Sequence, residues 1–169
     1  ADFINFGVAP AIVLFTWGLS GLKGFGWISV LIFACAMGLR LARFNSRTAL
    51  VDKRYFEGLP SPSSAGTVAG FVWVVSAFDV RGLPALVLAF LITIVVGALM
   101  VSKFSYWSGK DIDVRGRIRW VYASAIPLVF VIVALAPESL FTLFAMYTAS
   151  APAYWVWRRI RRKQKKIKE

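Results

Sequence analysis

The sequence contains no histidine and only one cysteine, Cys35, among its 169 residues. A zinc or haem site built on histidine is therefore excluded, and no disulfide can form within the chain. We interpret Cys35, which lies in an apolar run, as a packing residue. Acidic residues are scarce too, because eight Asp and Glu stand against twenty Lys and Arg, giving a formal net charge of +12. Such a basic excess indicates an anionic partner, either nucleic acid or a lipid surface.

Charged residues make up only 17% of the chain and hydrophobic residues 59%, with a mean hydropathy of +0.69. Soluble domains average about 25% charged and about 45 to 50% apolar residues. The hydrophobic residues form six segments, at 3–19, 25–44, 65–78, 83–101, 120–136 and 140–157. Segments that are apolar all round, such as 83–101, lack the polar outer face of a soluble bundle. We predict an all-α, polytopic membrane helix bundle.

The predicted bundle has six transmembrane helices within residues 1–157, followed by a basic cytoplasmic tail at 158–169. The third segment is short, and we expect residues 61–64 to supply its first turn, with Ser61 or Ser63 as the cap. The small residues Gly66, Gly70 and Gly97 predict close helix contacts.

The basic residues lie almost entirely on one side of the predicted bundle. Segment 40–54 holds five, loop 103–119 holds five and the tail holds eight, whereas the opposite loops hold Lys23 and Arg81 only. Positively charged loops stay in the cytoplasm. We therefore place the C-terminus and any active site on the cytoplasmic face of the cell inner membrane, with membrane lipids rather than nucleic acid as the anionic partner.

The longest polar interruption, residues 38–66, carries the strongest candidates for a binding site. Arg40, Arg43 and Arg47 follow one another at helical spacing and line one face, where guanidinium groups could hold phosphate oxygens. The alternative is that these side chains snorkel to the interface. Arginine inside an apolar run is costly, so we favour a ligand role for Arg40 in particular.

Further polar residues on the same side could complete a pocket. Asn45, Glu57 and Ser61 could hydrogen-bond a small polar substrate, and Lys110 lies in a second basic cluster in the next cytoplasmic loop.

Asp2 and Asn5 are three residues apart at the head of the first segment and are predicted to share one helical face. At membrane depth Asp2 would have to be paired, protonated or bound to a cation. Alternatively, Asp2 is solvated at a helix N-terminus, where the helix dipole favours its charge.

Several motifs in this sequence resemble those of one enzyme family. The opening A-D-F-I-N-F-G-V-A-P is similar to the end of the signature D-x-x-D-G-x-x-A-R-x(8)-G-x-x-x-D-x-x-x-D of CDP-alcohol phosphatidyltransferases. The later blocks R-L-A-R-F-N, Y-F-E-G-L-P-S-P-S-S-A-G and M-V-S-K-F-S-Y-W-S-G-K-D-I-D are similar to the bacterial branch that uses serine, the CDP-diacylglycerol–serine O-phosphatidyltransferases. The resemblance extends over nearly the whole chain.

The resemblance implies an integral membrane enzyme, often a homodimer, in which four aspartates bind two Mg²⁺ or Mn²⁺ ions. Serine would attack the phosphatidyl phosphorus of CDP-diacylglycerol, giving phosphatidylserine and CMP. Asp2 matches the last signature aspartate, which implies a role as metal ligand and general base. The first three aspartates are absent from this sequence. We therefore expect a truncated chain, inactive by itself, from an enzyme of about eight helices.

Two alternatives remain open at the level of the sequence. The acceptor could be glycerol phosphate, inositol phosphate or choline, and phosphorylated acceptors would need extra cationic side chains. A membrane transporter or a non-catalytic scaffold would also explain six helices with polar residues at one edge. No corresponding pair of broken helices marks a transport site at the middle of the membrane, so we favour the enzyme.

Overall fold

A computed structural model of the chain describes residues 1–47, 55–107 and 137–168. Within these ranges the chain is all-α apart from two short strands. A π-helical segment, Ile4–Val8, continues into the first α-helix, and a 3₁₀ turn, Leu19–Leu22, leads to the second. The α-helices are α1 Ala9–Trp17, α2 Gly24–Arg47, α3 Ser61–Ala77, α4 Leu83–Val101 and α5 Pro137–Lys168; the strands are β1 Tyr55–Glu57 and β2 Ser105–Trp107.

Proline occurs in the first turn of four of the five described α-helices, and α5 begins at Pro137 itself. Pro10, Pro62 and Pro84 lie at the first or second helical position, where the missing N–H has no partner to lose. Residues 61–64 supply the first turn of α3, as predicted. The predicted serine cap is wrong, because the cap position is Pro60, whose extended backbone begins the helix without a side-chain hydrogen bond.

The helices form two closely packed pairs. α2 packs against α4 and α3 against α5, while α1 contacts both α2 and α3. The interior is filled by apolar side chains such as Phe33, Met37 and Val68, each at most 1% exposed. Gly66 allows the α3–α5 contact, since a Cβ at this position would lie 2.5 Å from the Phe144 ring. The prediction of close small-residue packing is confirmed there.

Two described helices are long and apolar enough to cross a membrane. These spans are Gly24–Ser46 and Leu83–Val101, with mean hydropathies of 1.8 and 2.7, and Ile4–Trp17 is a shorter apolar helix. Only 33% of each span is buried within the protein. Large apolar side chains therefore point outward, as on α4, where Leu88, Leu91 and Val95 are about half exposed. These features indicate a membrane protein.

Three predictions about segments have different outcomes. The predicted segment 120–136 lies outside the described residues, so the number of six transmembrane helices stays a prediction. The helix that contains the last segment continues past residue 157, because α5 extends to Lys168 and includes nearly the whole basic tail; the boundary between membrane segment and tail stays a prediction. Cys35 is exposed on α2 rather than packed in the interior, so the packing interpretation is wrong.

Candidate functional site

Arg40 is the cation that lies deepest in α2 and is only partly exposed. Its Nη1 donates a hydrogen bond to the hydroxyl oxygen of Ser61, which is 4% exposed in the first turn of α3. Its Nε is buried and has no hydrogen-bond partner among the described residues. A buried N–H without an acceptor is unfavourable by about 1 to 3 kcal/mol, more for a charged group, so a ligand oxygen there would be stabilising. Arg40 therefore carries a cationic N–H that has no acceptor among the described residues, which makes it the strongest anion-binding candidate at this end of α2.

Asp2 lies on the same side of the molecule as Arg40. Its carboxylate lies within electrostatic range of the Arg40 guanidinium, and the Tyr147 phenol of α5 lies within that range as well. The structure thus brings together the head of the first helix, the C-terminal half of α2, the start of α3 and part of α5. We call this region the polar end. It is the arrangement that the predicted topology requires of Asp2 and Arg40.

The segment that follows Asp2, Ile4–Val8, is π-helical rather than regular α-helix. Asp2 and Asn5 are both exposed. At the end of the π-helical segment, the N–H of Ala9 donates to the carbonyl oxygen of Ile4, five residues earlier. A proline ring clashes with the carbonyl four residues before it, so the wide turn just ahead of Pro10 has a local cause. π-helical turns occur frequently at functional sites. Asn5 lies close to Asp2 in sequence and its predicted role in binding stays a prediction.

Arg43 has a different set of contacts from Arg40. Its Nη1 donates to the carbonyl oxygens of Val101 at 2.8 Å and Ser102 at 3.3 Å, at the C-terminal end of α4. Those carbonyls lack partners within their own helix, and a cation there also complements the helix dipole. This guanidinium nitrogen is therefore occupied in joining α2 to α4. Asn45, which lies two residues after Arg43 in α2, is exposed.

The two loops at the polar end are paired through β1 and β2, which we call the loop sheet. The strands are antiparallel, with Glu57 opposite Ser105. The pairing continues past the strands, because Gly58 N donates to Phe104 O at 2.8 Å and Leu59 N to Leu99 O at 3.1 Å. Gly58 has φ +80°, a conformation that favours glycine. Glu57 thus lies in a strand, while Lys110 lies outside the described residues.

The loop sheet is joined to α5 by Tyr106, which is 1% exposed. Its hydroxyl donates to the carbonyl oxygen of Thr148 at 2.9 Å, and its ring lies 5.5 Å from the Tyr147 ring. Burial, with a smaller contribution from Tyr147, raises the pKa of Tyr106 to about 12. The phenol therefore stays protonated at physiological pH and can act as a donor.

Sequence reasoning missed the part of this site that comes from α5. Thr148 Oγ1 also lies 3.0 Å from Thr67 Oγ1, so a buried pair of hydroxyls connects α5 to α3. The available signal was Pro152, a proline inside an apolar segment, which marks a position where a helix needs an outside partner.

A divalent cation does not fit the described residues alone. No group of three or more His, Cys, Asp or Glu side chains occurs within residues 1–47, 55–107 and 137–168. Mg²⁺ takes six oxygen ligands in near-octahedral geometry, several of them often waters, and Asp2 supplies a single carboxylate. The predicted role of Asp2 as a metal ligand stays a prediction.

A cavity of 420 Å³ lies at the other end of α2, lined by residues such as Lys23, Phe25 and Ile28. Its lining is mostly apolar and is separated from Arg40 by three turns or more of α2, about 18 Å along the helix axis. It brings together no set of polar groups comparable with that at the polar end.

Comparison with curated proteins bears directly on the predicted resemblance. The chain is 42% identical over 80 residues to the CDP-diacylglycerol–serine O-phosphatidyltransferase of Mycobacterium leprae and 33% identical over 106 residues to that of Methanocaldococcus jannaschii. It is 36% identical over 110 residues to the archaetidylserine synthase of Methanothermobacter thermautotrophicus. This chain is a homologue of serine phosphatidyltransferases. The resemblance predicted from the sequence is confirmed, over part of the chain rather than nearly the whole of it.

The alignments are partial on both sides. They cover 43%, 63% and 63% of this chain, in the same order, and 25%, 45% and 41% of the relatives. The chain thus spans between a quarter and about half of the length of these three relatives. No family model matches it.

Proposed function

We propose that this chain forms part of an enzyme that transfers a phosphatidyl group from CDP-diacylglycerol to L-serine, producing phosphatidylserine and CMP. The observation that carries the proposal is the half-buried Arg40 at the polar end of apolar helices: its buried Nε–H has no acceptor among the described residues, and Asp2 lies in electrostatic range. The names of the relatives agree with it, since those from both M. leprae and M. jannaschii specify serine as the acceptor.

The reaction requires an anion-binding group and a proton acceptor. The serine hydroxyl oxygen attacks the phosphorus that carries the diacylglycerol, a new P–O bond forms, and the bond from that phosphorus to the bridging oxygen breaks. CMP leaves with the bridging oxygen. We assign the serine hydroxyl proton to the Asp2 carboxylate and the diphosphate oxygens to Arg40. Arg43 would act indirectly, because its bonds to Val101 and Ser102 fix the position of α2.

The remaining substrate contacts come from the polar residues around Arg40. Ser61 accepts a hydrogen bond from Arg40 and thereby orients its guanidinium group. We propose that Asn5, Asn45, Glu57 and Lys110 contact serine or the cytidine nucleotide.

Serine dependence is the direct test of this function. The protein, expressed with whatever its gene encodes upstream of Ala1, is supplied with CDP-diacylglycerol and with serine, glycerol phosphate, inositol phosphate or choline in turn. We expect CMP release with serine alone. Release with another acceptor would assign the same reaction type to that acceptor, and no release at all would favour a transporter or scaffold. Omission and replacement of Mg²⁺ and Mn²⁺ in the same assay tests the proposed cation requirement.

We also propose six transmembrane helices in this chain, with the polar end in the cytoplasm. The two span-length helices and the one-sided distribution of basic residues support this topology. Ser20 and Ser46 are exposed at opposite ends of the described bundle and can be replaced singly by cysteine in a Cys35→Ser background. We expect a membrane-impermeant maleimide to label position 20 in intact cells and position 46 only after permeabilisation. Labelling in the reverse order would invert the topology.

A homodimer in the inner membrane is part of the proposal. Its test is the mass of the detergent-solubilised protein, measured by light scattering with the detergent contribution subtracted. A monomer at all concentrations would contradict it.

A further inference from the structure

Pro152 lies inside α5, where a proline has a specific consequence. It has no N–H, so the carbonyl oxygen of Thr148, four residues earlier, loses its usual donor within the helix. In a membrane protein a backbone group left without a partner is costly, and such carbonyls are satisfied by neighbouring elements.

Tyr106 supplies the missing donor. Its hydroxyl lies 2.9 Å from the Thr148 carbonyl oxygen and its side chain is buried. The donor comes from β2 and the acceptor from the middle of α5, so the bond fixes the loop sheet against the helix at the proline. Tyr106 and Thr148 are 42 residues apart in the sequence, so this bond joins distant parts of the chain.

The same contact places Tyr147 at the candidate site. The rings of Tyr106 and Tyr147 lie 5.5 Å apart with an interplanar angle of 37°. Tyr147 in turn lies within electrostatic range of Arg40. Direct contacts therefore run from the proline in α5 through Tyr106 to Tyr147, which lies near the arginine that we assign to the diphosphate.

We infer that Tyr106 is a positioning residue, whose hydrogen bond to the proline-freed carbonyl of Thr148 holds Tyr147 beside Arg40 and thereby sets the affinity for the lipid nucleotide. The inference rests on the proposed function for its substrate. It adds a residue that touches neither substrate but controls the shape of the pocket.

Two substitutions separate this role from general stability. Tyr106→Phe removes only the hydroxyl, and Pro152→Ala gives α5 its own N–H for the Thr148 carbonyl. In the otherwise natural protein we expect Tyr106→Phe to raise the KM for CDP-diacylglycerol roughly fivefold, the ratio that corresponds to one buried hydrogen bond. The kcat should change little, since a purely structural defect would reduce the amount of active enzyme and lower the apparent kcat instead.

Pro152→Ala provides the rescue. In that background the Thr148 carbonyl has a donor within the helix, so Tyr106→Phe should raise the KM by less than about twofold. Tyr154→Phe is the matched control, because Tyr154 is an exposed tyrosine on the same helix and its contacts with Trp157 and Arg158 involve the ring. We expect wild-type kinetics from it.

The inference would be overturned if Tyr106→Phe left the KM at its wild-type value, or if it raised the KM equally with and without Pro152→Ala. The proposed function would stand in either case. If the wild type released no CMP with serine, the proposed function would be wrong instead. The thermal midpoints of the wild type, the two single variants and the double variant then test the contact between Tyr106 and Thr148. If Tyr106→Phe lowers the midpoint less in the Pro152→Ala background than in the wild type, the contact is supported; if it lowers the midpoint equally in both, the inference is overturned.

Discussion

Gly58 is the position at which the smallest possible change should disturb the polar end most. Its φ of +80° is unfavourable for any residue with a Cβ, by about 1 to 2 kcal/mol. A Cβ would also lie 2.3 Å from the carbonyl oxygen of Met100 and 3.2 Å from that of Ser102. Both are backbone atoms, so relief requires α4 and the loop to separate, and such overpacking costs about 1 to 3 kcal/mol.

The two contributions together predict that Gly58→Ala lowers the free energy of unfolding by about 2 to 5 kcal/mol. In a chain of this size each kcal/mol shifts the thermal midpoint by about 2 to 4 °C, so a loss of about 3 kcal/mol lowers it by about 6 to 12 °C. The hydrogen bonds from Gly58 N to Phe104 O and from Leu59 N to Leu99 O should weaken as well, because they join the same two segments that the added Cβ would push apart.

The assay is thermal unfolding of the purified protein in one detergent, followed by circular dichroism at a fixed scan rate, because membrane proteins often unfold irreversibly. Gly24→Ala is the matched control, since no atom lies within 4 Å of a Cβ at Gly24 and its φ is not positive. We expect the control to melt at or slightly above the wild-type midpoint. If Gly58→Ala melted together with the wild type and the control, the described turn geometry would be wrong.

Other predictions concern the site and the tail. Asp2→Asn should abolish serine-dependent CMP release without changing the thermal midpoint; retained turnover would remove Asp2 from the chemistry. Arg40→Ala should raise the KM for CDP-diacylglycerol at least tenfold, a loss of about 1.4 kcal/mol or more, and more than Ser61→Ala does; an unchanged KM would favour snorkelling. Removal of residues from Arg158 onward should leave activity in detergent nearly unchanged but weaken binding to vesicles rich in anionic lipid, and equal binding would contradict this role. Tyr106 has a pKa raised from 10.0 to about 12, so it stabilises the fold fully below pH 10, and this contribution is lost as the pH rises towards 12. The wild type should therefore lose stability over that range more steeply than Tyr106→Phe, as checked by melting at a series of pH values.

The helical architecture could be predicted because membrane burial leaves a strong signal in the sequence. The apolar run from Leu83 to Val101 matches α4 at both ends, and Gly66 and Gly70 lie at close contacts with α5. Helix ends were less predictable. The serine-rich start of α3 has the composition of a cap, yet the fixed φ of Pro60 begins the helix, and α5 runs on into the basic tail because Lys and Arg are good helix formers.

The candidate site was predictable only in part, for a similar reason. Arginine in an apolar run is unusual enough to single out Arg40, and the family resemblance singles out Asp2. The partners of these residues come from elements far away in the sequence. Nothing local in the sequence shows that Arg43 would bind the end of α4, or that Tyr106 would donate to Thr148, because both depend on how the helices pack.

The pairing of β1 with β2 ties the connection before α3 to the connection after α4 by backbone hydrogen bonds. A flap formed from one loop could lift by itself, whereas here neither connection can swing away unless the other is carried along or the strands unzip. Under the proposed function, CDP-diacylglycerol would then have to approach Arg40 sideways from the bilayer, between helices, whereas serine, which is small and hydrated, would approach from the water. The two reactants would thus enter the site by separate routes.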